Sequence, residues 1–207
     1  MRATRTAALL LALLAAAAGQ AQAQRERPPR GLREVRSSGP NPREGFWLAI
    51  GLGAGAESFR ADDGLGWSDD KGGAVGYLKL GGTVSPSLLL GAEAQVWSAR
   101  YYGRTYLEDY DRTLGSLLAI AQVYPSSRGA VWLKGGVGFA RDELDLFGPP
   151  TRPTVTGRNG VAFDLGLGYD VRVGRQVSVT PSLDLVWQRY ESHDERLVNL
   201  AIAVTFH

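Results

Sequence analysis

Apolar residues recur at every second position along most of the chain from Phe46 onward, and this alternation limits the possible folds more than any other feature. A period of two is that of a β-strand, whereas a helix repeats its apolar face every three to four residues. In VWLKGGVGFA, residues 131–140, valine, leucine and phenylalanine share one face, and Lys134 lies on the other. Eight such segments are present, each about the 9 to 11 residues that a membrane strand needs. They lie at residues 45–57, 76–84, 88–97, 112–124, 131–140, 160–173, 177–188 and 196–207.

The connections between these segments alternate in length. Short turns lie at residues 85–87, 125–129 and 173–176, and longer polar loops lie at 57–73, 99–111, 141–160 and 189–196. An up-and-down membrane barrel has this asymmetry, with short periplasmic turns and longer outside loops. The pattern therefore predicts an all-β fold, an eight-stranded antiparallel up-and-down transmembrane β-barrel. Pro181 falls inside a segment, where it removes a ladder hydrogen bond, so we expect a β-bulge or a misplaced strand boundary there.

Charged residues indicate which face of each strand points inward. Segment 112–124 is apolar on both faces, so its orientation stays open. In the other seven segments the apolar face carries no charge, and the opposite face carries Lys79, Glu93, Lys134, Asp164, Asp170, Arg172 and Asp184. A lysine pointing into lipid at mid-depth would cost about 2 to 4 kcal/mol, so the inward face is predicted to be the charged one.

Lys134 is thereby predicted to point into the barrel. Pairing Val84 with Leu88 across the turn at 85–87 also places Lys79 opposite Glu93, an opposite-charge pair. Buried charges persist only when they are paired. We therefore hypothesise a lumenal charge cluster in which Lys134 meets some of the candidates Lys79, Glu93, Asp164 and Asp184. An eight-stranded barrel is only just wide enough for side chains to fill it, so glycines on this face are expected to make room for Trp47, Tyr77, Trp97 and Trp132.

The N-terminal region divides into two segments before the barrel at 45–207. Residues 1–23 have two arginines, an unbroken apolar run and a small-residue cleavage site, which is typical of a secretory signal peptide. Residues 24–44 are rich in arginine and proline and poor in apolar side chains, so they are predicted to form a disordered tail. The alternative is an arginine arm that binds anionic lipid phosphates or cell-wall polymer. Without Arg2 and Arg5 the basic and acidic side chains balance, so no nucleic-acid partner is expected.

Residues 45–207 resemble the outer membrane protein β-barrel domain, the small OmpA/OmpX-like class. The resemblance rests on the eight alternating segments, on the glycine-rich stretches LKGGVGFA and FDLGLGYDV, and on the closing VNLAIAVTF. It implies location in the bacterial outer membrane, both chain ends in the periplasm and the long loops outside. The terminal aromatic Phe206 looks like the family's assembly signal, read by the barrel assembly machinery, although His207 follows it. We expect a monomer in contact with outer-membrane lipids.

Four stretches carry residue types that could form sites. Ser192-His193-Asp194-Glu195 holds the groups of an activated serine, but adjacent residues rarely provide triad geometry, so a solvated turn is expected. GLGAGA at 51–56 fits a loose dinucleotide pattern without the helix that pattern requires. The third stretch is an acidic loop that fits no EF-hand spacing and contains Asp62, Asp63, Asp69 and Asp70. No metal and no cofactor are expected from these patterns.

The fourth stretch is a loop in which tyrosine and arginine alternate. These residue types are enriched at recognition surfaces, and tyrosines also form the aromatic girdle of membrane barrels. Both interpretations stay open, with an extracellular ligand that the sequence does not identify. The candidate recognition residues are Arg100, Tyr101, Tyr102, Arg104, Tyr106 and Tyr110.

Three functions are compatible with the sequence. The first is a non-enzymatic outer-membrane barrel with a filled polar lumen, serving as an envelope structural or surface-interaction protein. The second is a lipid A-modifying hydrolase or acyltransferase, which needs serine, histidine and an acid at one level of the wall, and the chain has only two histidines. The third is a soluble lipocalin-like periplasmic carrier, whose interior would be apolar and whose exterior would be polar. The charged face is the glycine-rich one, which favours the membrane barrel.

Overall fold

The computed structural model describes residues 43–61, 66–102, 110–146 and 155–207. The signal-peptide segment and nearly all of the predicted tail lie outside these residues. The strands are β1 (Phe46–Ala61), β2 (Lys71–Ser85), β3 (Leu88–Tyr101), β4 (Tyr110–Val123), β5 (Val131–Leu146), β6 (Val155–Tyr169), β7 (Val171–Arg172), β8 (Val177–Arg189) and β9 (His193–Phe206). Among the described residues no helix is long and apolar enough to cross a bilayer.

The strands form one closed antiparallel barrel. From β1 to β6 each strand pairs with the next, β9 pairs with both β1 and β8, and β6 pairs with β8. Strands β6 and β7 pair with β8 in one continuous register. Gly168 of β6 lies opposite Ser182, and Val171 of β7 lies opposite Val179. Strands β6 and β7 are therefore two halves of one barrel strand, and the barrel has eight strands. The predicted fold class is confirmed.

The break between β6 and β7 lies opposite Pro181. A proline has no N–H to donate to a neighbouring strand. Pro181 stays paired with Ile202 of β9 without a register shift, so only the ladder toward β6 and β7 is interrupted. Neither the expected bulge at Pro181 nor a misplaced boundary of its strand is present, so that prediction was wrong. The bulge lies instead in β2 between Thr83 and Ser85, where Ser85 rather than Val84 faces Leu88.

The two ends of the barrel differ. We call the end with the turns after β2, β4 and β7 the short-turn end, and the opposite end the long-loop end. Apart from the short β7, the strands have 13 to 16 residues, more than the roughly 9 to 11 that span a membrane. At the long-loop end they extend into stretches that the sequence predicted as loops, including 57–61 and 141–146.

The outer wall is apolar over most of its height. Leu52, Phe139, Leu200 and Ile202 all expose more than 60% of their surface, the reverse of what a water-soluble protein requires. The strand that the sequence left unoriented, β4, follows the same rule: Leu117 and Val123 are exposed, and the alternate apolar side chains are buried inside, namely Leu114, Leu118 and Ile120. Six of the seven charged residues assigned to the inward face are buried, as predicted, whereas Arg172, in the short strand β7, is exposed.

The interior is filled by aromatic side chains that fit against glycines. Trp47, Trp97 and Trp132 are each 1% exposed. A Cβ on Gly168 would overlap the ring of Trp132, and one on Gly51 would overlap the ring of Tyr77. The space left among Trp47, Tyr77, Lys79 and Trp132 is a cavity of about 10 Å³, room for about one water molecule.

Candidate functional site

Lys134 lies at the centre of a buried ion cluster in the lumen. Its Nζ is 2.6 Å from Glu93, 2.5 Å from Asp164 and 2.8 Å from Asp184. All four side chains are 3% exposed or less. With Lys79, whose Nζ is 3.9 Å from Glu93, these residues form what we call the lumenal cluster.

Register brings the members of the lumenal cluster together. Lys79 of β2 lies opposite Glu93 of β3, as the sequence predicted. Gly166 of β6 pairs with Lys134 on one side and with Asp184 on the other. A Cβ on Gly166 would overlap an oxygen of Asp184 and lie 3.0 Å from Cε of Lys134. The missing side chain is therefore what lets Lys134 reach across β6 to Asp184.

The two lysines of the lumenal cluster are not equivalent. Lys134 donates a hydrogen bond to Glu93 and contacts two more carboxylates. Lys79 Nζ has no hydrogen-bond partner among the described side chains and lies 4.1 Å from the ring centroid of Tyr77. A cation over an aromatic ring gains a modest attraction. Lys134 therefore holds the carboxylates together, and Lys79 supplements it.

A second network closes the short-turn end. Asp170 accepts hydrogen bonds from Tyr124, Trp132 and Thr180. Arg43, which the sequence assigned to the tail, is 5% exposed, lies 3.4 Å above the ring of Tyr124 and donates to the carbonyl of Gly129 at 2.6 Å. The barrel therefore includes at least Arg43, two residues before its predicted start.

A third group of charges, which the sequence did not predict, lies inside the long-loop end. Arg112 contacts Glu57 at 3.1 Å, Asp142 at 3.0 Å and also Glu195. His193 Nε2 lies 3.1 Å from Glu195 and 3.6 Å from Asp142. We call these five residues, Glu57, Arg112, Asp142, His193 and Glu195, the mouth cluster. Along β5, Asp142 follows Lys134 by a strand length of roughly 26 Å, so the two clusters are separate sites.

The mouth cluster was missed because of where the sequence analysis ended its strands. Glu57 and Asp142 were assigned to loops, and Arg112 began the strand that could not be oriented. Their inward direction follows only once β1 and β5 are known to extend beyond the apolar belt. The one available signal was the alternation of inward and outward positions along a strand. Glu57 lies an even number of residues after the inward-facing Trp47, and Asp142 lies an even number after Lys134.

The Ser192–Glu195 stretch is more ordered than the predicted solvated turn. Ser192 Oγ lies 3.1 Å from His193 Nδ1, while Nε2 of the same ring faces Glu195. The imidazole stacks on Tyr190, with ring centroids 4.6 Å apart. Arg158 lies 3.1 Å from Ser192 Oγ. A cavity of about 310 Å³ opens beside this group at the long-loop end.

The tyrosine and arginine residues of the candidate recognition loop point in different directions. Arg104 and Tyr106 lie outside the described residues. Tyr101 stacks on Tyr110 at 4.8 Å and donates to Glu57, so it supports the mouth cluster. Arg100 binds Asp111 on the outer wall, and Tyr102 is 72% exposed.

The remaining candidates take ordinary structural positions. GLGAGA lies within strand β1. Asp69 and Asp70 are exposed, and Asp62 and Asp63 lie outside the described residues. Phe206 points outward from the last strand, 44% exposed, and lies opposite Leu48 of β1 and Val177 of β8.

A closed eight-stranded barrel with an apolar outer wall and a charged, filled interior belongs to a known structural class. No protein-family model and no curated protein matches the chain. Solved structures do match. The crystal structure of Ail, the attachment invasion locus protein of Yersinia pestis, in complex with the heparin analogue sucrose octasulfate has a TM-score of 0.59 and 14% identity, and the match covers 78% of this chain and 99% of that one. Neisserial surface protein A has a TM-score of 0.53 and 14% identity, covering 78% and 96%. The chain has the fold of the small OmpA/OmpX-like outer-membrane barrels.

Proposed function

We propose that the chain is a bacterial outer-membrane barrel that conducts no solute and acts through its long-loop end, as an envelope structural or surface-interaction protein. The observation that carries this proposal is the combination of an apolar outer wall with a lumen filled by ion clusters and tryptophans. The apolar wall suits lipid, and the filled lumen argues against transport. The fold hosts many functions, so the role must be argued from the surface that it presents.

Cell fractionation tests the location directly. We expect the chain in the outer-membrane fraction, with a band that migrates differently on a denaturing gel before and after boiling, because a closed barrel resists detergent until it is heated. A soluble periplasmic chain without this shift would contradict the proposal and favour the lipocalin-like carrier.

Arginines on the outer wall support the surface-interaction role. Arg60, Arg189 and Arg196 point outward from the neighbouring strands β1, β8 and β9 at the long-loop end, and we call them the arginine rim. One carboxylate, Asp194, lies between them, 2.6 Å from Arg60 and 3.8 Å from Arg189. Guanidinium groups suit phosphate and sulfate oxygens, and the Ail structure holds a heparin analogue. Anionic glycans or lipid headgroups are therefore the proposed partners.

Heparin-column retention tests the arginine rim. We expect the triple variant Arg60→Gln, Arg189→Gln, Arg196→Gln to elute at lower salt than the native barrel. Arg128→Gln is the matched control, because Arg128 is exposed at the short-turn end. Equal retention of all three proteins would contradict the proposed partner class.

One observation favours the second candidate, a lipid-modifying hydrolase. Ser192, His193 and Glu195 form the contact chain of hydroxyl, imidazole and carboxylate that such an enzyme needs. The ring nitrogens are exchanged relative to the serine-protease arrangement, in which Nε2 faces the serine and Nδ1 faces the acid. The neighbouring Arg158 could stabilise a developing oxyanion.

A fluorophosphonate probe separates this candidate from the first. A hydrolase would become labelled on the native chain and lose the label on Ser192→Ala, whereas Ser87→Ala at the opposite end would keep it. Absence of labelling on a barrel that passes the heat-shift test would rule the hydrolase out.

A further inference from the structure

The mouth cluster holds more negative than positive charge. Glu57, Asp142 and Glu195 face the guanidinium of Arg112, and with His193 neutral two negative charges remain within the cluster. The exposed Arg158, outside the cluster, lies 3.4 Å from His193 Nδ1. The three carboxylates are 2% exposed or less. Buried charges need compensation from partners inside the protein, because burial removes most of their hydration. A divalent cation would bring the charge of the cluster to zero.

Two buried ligand atoms of the mouth cluster are unused. Glu195 Oε2 and His193 Nε2 are buried and have no hydrogen-bond partner among the described residues. One ligand atom each from Asp142, His193 and Glu195 lies within 4.8 Å of the other two. Bonds of about 2.0 to 2.2 Å place two ligand atoms of a tetrahedral zinc roughly 3.4 Å apart. The observed distances from His193 Nε2, 3.1 Å to Glu195 Oε1 and 3.6 Å to Asp142 Oδ2, lie on either side of that value. Both of these oxygens also contact Arg112.

We propose that Asp142, His193 and Glu195 bind one divalent transition-metal ion of the zinc class at the mouth of the barrel. One imidazole nitrogen with two carboxylates suits zinc or cobalt, whereas calcium and magnesium prefer oxygen ligands alone. Arg112 contacts both carboxylates and is itself held by Glu57. Nδ1–H of His193 then donates to Ser192 Oγ, the kind of support that metal-bound histidines receive.

An ion can reach this site from the long-loop end. The cavity of about 310 Å³ is lined by Arg112, Asp142 and His193 together with the exposed Ser192 and Arg158. Three protein ligands leave a fourth position for water or a group from outside. Metal binding also competes with the hydrolase candidate, because Nε2 cannot both donate to Glu195 and coordinate an ion.

The test titrates the metal-free, folded barrel in detergent with Co²⁺, whose visible absorption reports the ligand geometry, followed by displacement with Zn²⁺. We expect one equivalent to bind, while Ca²⁺ and Mg²⁺ do not compete. His193→Gln and Glu195→Gln should each weaken binding by more than about 100-fold, beyond the roughly 10–100-fold that loss of a supporting partner costs. Asp194→Asn is the matched control, because Asp194 lies between them on β9 and points outward to Arg60.

A second measurement uses the native chain alone, in case a ligand variant does not fold. Zn²⁺ should raise the temperature of the heat shift on the gel, and Ca²⁺ at the same concentration should not, because only an ion that binds the folded state stabilises it. No Co²⁺ binding and no Zn²⁺ stabilisation would overturn the proposal and indicate a protonated carboxyl in the cluster. If both ligand variants still bound the metal, the proposal would also be overturned, because the metal would then occupy an adventitious surface site.

Discussion

At the scale of single residues, Lys134 is the side chain on which the interior depends most. Replacing it with methionine keeps much of its volume but leaves Glu93, Asp164 and Asp184 without their shared cation. Removing one partner of a buried ion pair costs about 3 to 5 kcal/mol. We expect Lys134→Met to lower the free energy of unfolding in urea by that order, and to lower the temperature of the gel shift.

Lys79→Met is the matched control for this prediction. Lys79 is equally buried and faces the same Glu93, but at 3.9 Å and without a hydrogen bond. Its loss should cost less than half as much. If the two variants lost the same free energy of unfolding, the loss would come from removing a lysine from the lumen and not from the particular contacts of Lys134.

How much of these sites the sequence could predict depends on the property concerned. The side of the wall that Lys134 faces follows from the alternation of side chains along its strand, so the sequence alone predicted it. That Lys134 meets Asp184 depends on register across β6 and on the empty position at Gly166, and the sequence analysis could name Asp184 only as one of several candidates. The contacts of Arg112 depend on three other strands, and no local pattern indicates them.

At the scale of the strands, the extensions at the long-loop end determine what faces water. The sequence ended several strands too early because alternation disappears where the outward side chains no longer meet lipid. On β9 the outward series changes from apolar Val198 to the charged Arg196 and Asp194, although the backbone ladder continues. Hydrophobic patterning therefore predicts the height of the apolar belt and not the length of the strand.

Cysteine labelling checks this boundary, and the chain has no cysteine of its own. With a membrane-impermeant maleimide on intact cells, we expect Arg189→Cys to react, because its side chain is 78% exposed above the belt. Leu200→Cys, which is exposed within the belt, should stay unreactive because lipid covers it. Arg128→Cys should react only after the cells are made permeable. Reaction of Leu200→Cys on intact barrels would contradict the membrane placement.

At the scale of the whole molecule, the described part of the barrel has a filled interior. Two ion clusters and the tryptophans fill the lumen between its ends, and the cavity among Trp47, Tyr77, Lys79 and Trp132 has room for about one water molecule. We expect the native barrel in a planar lipid bilayer to give no steady ion current. Discrete, repeated conductance steps from the folded barrel would show an open path and return transport to consideration.

Closure by β1 and β9 also sets the order of events when the molecule forms. Every other neighbouring pair is joined by its own loop or turn, whereas β1 and β9 meet only when the last strand has arrived. Contacts between such distant parts of a chain form slowly, because the entropy of closing the loop is lost before the contacts repay it. Until then β1 and β8 present open edges that can pair with other chains. The time before β9 pairs with β1 is therefore when this barrel is most exposed to aggregation and proteolysis.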